Sequence, residues 1–149
     1  MNERINKQNL APAADCACFN IRKASRVITQ HFDEVMQPSG LRGTQFSILA
    51  IVARRGAPTM SELAANLVMD RTTLTRNLKP LEEQGLIKNA PGVDRRTRSI
   101  SLTSKGSKTL AKALPYWKKA QSSVIRYLGG PRFVRILEDL RFIEKMPTR

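Results

Sequence analysis

Arg71, Thr72, Thr75, Arg76 and Lys79 are spaced so that a helix would gather them on one side, the arrangement needed to hold a polyanion. All are hydrogen-bond donors. Guanidinium and ammonium groups suit phosphate oxygens, and arginine or threonine can also reach base edges in a duplex groove. A second basic cluster, Arg95, Arg96 and Arg98, follows a Pro91-Gly92 turn signal. An arginine-tipped hairpin beside such a helix can enter a neighbouring minor groove, where narrow A·T-rich stretches concentrate negative potential.

Thiol chemistry is the other possibility. Cys16 and Cys18 stand at the start of a helical pattern with Arg22 one turn on, a setting that raises thiolate reactivity. The ordinary alternative is two packed or merely solvent-facing thiols. Neighbouring cysteines within one turn make an intramolecular disulfide difficult, so oxidation would run through a mixed or inter-subunit disulfide. Two cysteines and one histidine, His31, supply no disulfide framework and no zinc ligand set, so no metal or cofactor is expected. With no glycine-rich phosphate loop and no nucleophile elbow, no catalytic residue is expected either. An RNA binder of similar basicity should carry aromatics for stacking, and Phe, Trp and Tyr make only 5% of the chain.

The elements that must position these residues can be read around them. Thr59 and Glu62 form a capping box for a short helix with Leu63, Ala64 and Leu67 on one face. Val68-Met69 turns the chain, and Asp70 caps a second helix. There Leu74, Leu78 and Leu81 make a buried stripe opposite the basic side, and Gly85 ends the helix. Leu86-Ile87-Lys88 and Ser99-Ile100-Ser101-Leu102 read as two short strands flanking the arginines. The sum is a helix-turn-helix with a wing, mostly α with a small β hairpin. Pro80 and, further on, Pro115 lie inside helical patterns and are expected to kink rather than break them.

Asp94-Arg95-Arg96 followed by Ser99-Ile100-Ser101-Leu102-Thr103-Ser104-Lys105-Gly106 resembles the D-x-R … L-T-x-x-G wing signature of the MarR family of bacterial regulators. The resemblance extends over Thr44–Leu49, Glu62-Leu63-Ala64 and Leu81–Ile87, and covers roughly Cys16 to Leu140. It implies a homodimeric regulator, usually a repressor, on a pseudo-palindromic double-stranded operator. Release would come from a small aromatic or acyl effector or from cysteine oxidation. Carried over, it makes Arg96 the minor-groove arginine and Asp94 its orienting partner, and it places Thr72, Thr73, Thr75 and Arg76 on the major-groove face. Cys18 and the residues after it are similar to the organic-hydroperoxide-sensing branch, although Arg22 stands where that branch has a hydroxylated aromatic. His31 and Phe46 would wall the ligand crevice of the family, against the ordinary readings of a solvated imidazole and a core phenylalanine. A protein-binding relative without DNA activity is a further alternative.

The remaining chain fits around that unit. At 149 residues it suits one domain. The net charge is +14, with +6 in each of residues 71–108 and 109–149 (nine basic, three acidic in both) against +2 in residues 1–70 (eight and six). The excess beyond residue 108 exceeds what groove contact explains, and its ordinary reading is a solvated helix surface. Residues 1–14 read as a frayed N-terminus and 15–149 as a single unit. In it, 44–103 form the winged helix-turn-helix region, and 15–43 with 104–149 supply dimerisation helices. Their apolar sets are Ala17, Ile21, Ala24, Ile28, Phe32 and Val35, then Leu110, Leu114, Trp117, Val124 and Leu128, then Phe133, Ile136, Leu137, Leu140 and Ile143. Between the first of these and the helix-turn-helix, Thr44 is expected to cap a helix whose inner face is Phe46, Leu49, Ala50 and Ala53. No apolar run nears the ~20 residues of a membrane span, and a cytoplasmic protein with free thiols is expected.

Overall fold

The computed structural model describes residues 7–92 and 97–147. A 3-10 helix, Lys7–Asp15, leads into α1 (Ala17–Met36). After a 3-10 turn, Gln37–Ser39, come α2 (Gly43–Arg55), α3 (Met60–Leu67) and α4 (Arg71–Glu83). The hairpin β1 (Ile87–Pro91) and β2 (Arg98–Leu102) follows, then α5 (Ser104–Leu128) and α6 (Gly130–Ile143). The fold is thus mostly helical with one two-stranded antiparallel wing, as the sequence pattern predicts.

Several local expectations are corrected. The described part of the N-terminal segment is a 3-10 helix rather than a frayed end. Asn20 ties it to α1 by donating from Nδ2 to the Ala14 carbonyl at 2.7 Å. Thr44 does not cap α2, which begins one residue earlier. The free N–H of Gly43 donates instead to Asp33 Oδ1 on α1 at 2.8 Å, and the Arg42 N–H to Gln45 Oε1 at 3.0 Å. A side chain at Gly43 would put a Cβ 3.0 Å from Phe32 Cβ, so α1 and α2 cross closely there. By contrast, Pro80 and Pro115 do not break their helices, as expected: both face solvent, and α4 and α5 run on across them.

The core is the meeting point of α2 with everything else. Phe46, Ile48, Leu49 and Val52 are buried on α2, whereas Ala53, expected inside, is exposed. Because α2 touches α1, α3, α5 and β2, it buries a wider side than one stripe. Met36, Leu63, Leu74, Leu81 and Ile100 close around it. On α5 the buried residues are Gly106, Ala113 and Ala120, small enough for neighbouring elements to approach, while Leu114 stays exposed. At the ends of the chain much apolar surface remains open: Ile21, Val27, Ile28, Val134, Leu140 and Phe142 are all exposed, and α6 has no buried residue.

Candidate nucleic-acid interface

The helix-turn-helix is locked by short-range polar contacts. At the start of α3, Glu62 Oε2 accepts the Thr59 N–H at 2.7 Å and the Thr59 hydroxyl at 2.9 Å, and Thr59 Oγ1 accepts the Glu62 N–H at 3.2 Å. These bonds from Thr59, backbone first and then hydroxyl, hold the Glu62 carboxyl below the usual carboxylate range, helped slightly by Arg55. The turn passes through Val68, whose φ of 50° makes it the one described non-glycine residue in the left-handed region. Asp70 then caps α4: Oδ1 accepts the Thr73 N–H at 2.8 Å and Oδ2 the Thr73 hydroxyl at 2.6 Å. The hydroxyl bond and then the backbone bond lower the Asp70 pKa.

Leu74, Leu78 and Leu81 bury the inner side of α4. On the outer side Arg71, Thr72, Thr75, Arg76 and Lys79 are exposed and together line one shallow depression. Thr75 donates its hydroxyl back to the Arg71 carbonyl at 2.8 Å, so toward a ligand it acts as an acceptor. Thr73 differs from its neighbours, being half-buried with its hydroxyl committed to Asp70. Lys79 lies 3.8 Å from Glu83, both well exposed, a pairing too weak to hold the lysine back from a phosphate.

The far end of α4 is fastened to the wing and to α5. Gly85, at φ +69°, closes a Schellman motif in which Leu86 N–H reaches the Leu81 carbonyl at 2.9 Å and Gly85 N–H that of Glu82 at 2.9 Å. Thr103 caps α5 through Gly106 N–H and donates its hydroxyl to the Gly85 carbonyl at 2.6 Å. Lys105 Nζ donates to the Gln84 carbonyl at 2.7 Å. A Cβ at Gly106 would fall 1.9 Å from the Leu86 carbonyl oxygen, so only glycine fits. Thr103 and Gly106 both belong to the wing signature quoted above, whereas the Lys105 contact, which joins residues 21 apart, has no counterpart in the sequence reading.

In the wing, Ile87 pairs with Leu102 and Pro91 with Arg98. Ile100 N–H also reaches the Pro58 carbonyl at 2.9 Å, which anchors the hairpin to the start of α3. Arg98 is exposed, its Nε donating across the strands to Asn89 Oδ1 at 2.9 Å. Asp94, Arg95 and Arg96 lie outside the described residues.

The sensor candidates separate into two groups. Cys16, the N-cap residue of α1, and Cys18, in its first turn, are both exposed. His31 is half-buried and hydrogen-bonded through Nε2 to Ser123 Oγ, which itself donates to the Ala120 carbonyl at 2.7 Å. The contact ties α1 to α5. His31 borders an apolar pocket of about 410 Å³ with Val27, Ile28, Val124 and Leu128. Phe46 is core, stacked on Trp117 with centroids 5.5 Å apart. Beside Trp117 a cavity of about 250 Å³ is lined by Ile28, Phe32, Gly43 and Thr44. Among the described residues no helix is long and apolar enough to cross a membrane.

Against known proteins, the MarR family model matches residues 41–97. The crystal structure of the M. tuberculosis transcriptional regulator MosR in complex with DNA superposes with a TM-score of 0.79 at 41% identity, covering 87% of this chain and 94% of that one. The uncharacterized HTH-type transcriptional regulator YwoH of Bacillus subtilis is 32% identical over 88 residues, 59% of this chain. That match spans 64% of YwoH, somewhat under two thirds of its length. The organic hydroperoxide resistance transcriptional regulator of Bacillus subtilis is 30% identical over 98 residues, 65% of this chain and 67% of its own.

Proposed function

The chain belongs to the MarR family of transcriptional regulators, and on that premise we propose that it is a homodimeric repressor of a pseudo-palindromic duplex operator. The observation that carries the proposal is the exposed polar and basic row of α4, on a helix fixed at both ends. Arg71 and Lys79 would take phosphates, while Thr72, Thr75 and Arg76 would face base edges in the major groove. Thr73 would contribute through the cap it shares with Asp70. Arg96 would enter the minor groove, oriented by Asp94, with Arg95 and Arg98 beside it. The open apolar sides of α1 and α6 would join two copies, which sets two reading helices about one helical turn apart. Such a regulator works in the cytoplasm and performs no catalysis.

Gel-shift titration on DNA upstream of its own coding sequence tests this. Saturable retention that weakens steeply with salt is expected. Passage of every duplex without retention would overturn the reading and favour a protein-binding relative.

Release through thiol oxidation is the second reading. It is supported by the exposure of Cys16 and Cys18 at the start of α1, and by likeness to a regulator of organic hydroperoxide resistance. Peroxide should free the DNA from wild type but not from Cys18→Ser. Release that persists in Cys18→Ser would move the role to Cys16, whereas indifference of wild type to peroxide would point instead to a small aromatic or acyl effector in the cavity beside Trp117.

A further inference from the structure

The cations of α5 have no part in the interface described above, apart from Lys105. In 25 residues this helix carries Lys105, Lys108, Lys112, Lys118, Lys119 and Arg126 and no acidic residue. Lys108, Lys112, Lys119 and Arg126 follow at spacings of four, seven and seven. At about 100° per residue they fall within an arc of about 40°. All are exposed, and the arc is turned away from the side on which Ala113 and Ala120 are buried. Among the described residues the only ion pair is Lys79–Glu83, so no described carboxylate pairs with this stripe.

Its position narrows the occupant. The stripe begins one turn beyond Lys105, whose Nζ is bonded to the Gln84 carbonyl at the C-terminal end of the reading helix. From Lys108 to Arg126 it runs about 27 Å, close to the length of eight base pairs of duplex. A subunit contact is a poor use for it, because uncompensated cations would be desolvated there while apolar sides of α1 and α6 stand open.

We infer that the Lys108–Lys112–Lys119–Arg126 stripe of α5 is a second phosphate track, engaging duplex that flanks the operator and bends toward the protein. The inference rests on the duplex-binding reading above. Contacts made here carry no sequence information; they repay the bend and favour deformable flanks.

The test compares wild type with a Lys108→Gln, Lys112→Gln, Lys119→Gln, Arg126→Gln variant by fluorescence anisotropy across a salt series. Two probes are used: the shortest upstream fragment retained by wild type, and that fragment extended by one helical turn on each side. Wild type should bind the longer probe more tightly, its log–log salt slope steeper by about 0.9 for each phosphate engaged. The variant should match wild type on the short probe and lose the increment on the long one, with unchanged melting. Equal slopes on both probes for wild type would overturn the inference while leaving the operator reading intact. So would an equal loss by the variant on both probes, or a variant that loses only its binding to phosphatidylglycerol vesicles. Failure of wild type to bind either probe would remove both readings together.

Discussion

The reading unit between Thr59 and Gly106 closes its caps and its core within one chain, whereas α1 and α6 leave their apolar sides in water. In the first region each helix end has a named partner: Glu62, Asp70, Gly85, Thr103. In the second, Phe142, Val134 and Ile28 are exposed and α6 buries nothing. On the proposed reading, the contrast divides the labour. A rigid head can present donors to a duplex without reorganising, and adhesive ends can set the distance between two such heads.

Substitutions should therefore act differently in the two regions. The largest effect is expected at Leu81, fully buried between α4 and the core: Leu81→Ala should lower unfolding stability by about 2–5 kcal/mol, read by chemical denaturation. Gly106→Ala should cost on the order of 3 kcal/mol or more, because the new methyl meets the Leu86 carbonyl, and it should loosen α4 with the wing. Phe142→Ser should leave the head intact but weaken association, which sedimentation velocity would show as a shift toward monomer. An unchanged association constant would take α6 out of the subunit contact.

Smaller effects sharpen the same contrast. Asp70 and Glu62 both have lowered folded pKa values, so their caps add stability above the unfolded carboxylate range and lose it as pH falls through the folded values. Thermal melts should thus show stability declining in mild acid, and an Asp70→Asn, Glu62→Gln variant should flatten that decline. The smallest change is at Val68, where a β-branched residue sits in the left-handed region: Val68→Gly should raise stability by at most about 1 kcal/mol, relief of strain offset by unfolded-chain entropy.

What the sequence disclosed follows the range of each interaction. Thr59 with Glu62, Asp70 with Thr73, and Thr103 with Gly106 all act over three residues; the first pair was legible from spacing, and of the second the capping role of Asp70 was. The cap of α2 was misread because its acceptor, Asp33, sits ten residues upstream on another helix. The His31–Ser123 tie spans 92 residues and left no local trace. Ala113 and Ala120 escaped because alanine adds little to a hydrophobic period, yet they let α5 sit close to its neighbours. In the candidate interface, the polar and basic row of α4 was fully visible in the sequence, and the committed hydroxyl of Thr73 was not.

The central claim is that two copies, joined through their open ends, present α4 to one duplex. Sedimentation velocity of the protein titrated with its retained upstream fragment tests this most directly. The account predicts a free dimer that co-sediments with the fragment at two chains per duplex and is displaced by salt. A monomer at all concentrations, or a dimer that leaves the fragment sedimenting alone, would contradict it.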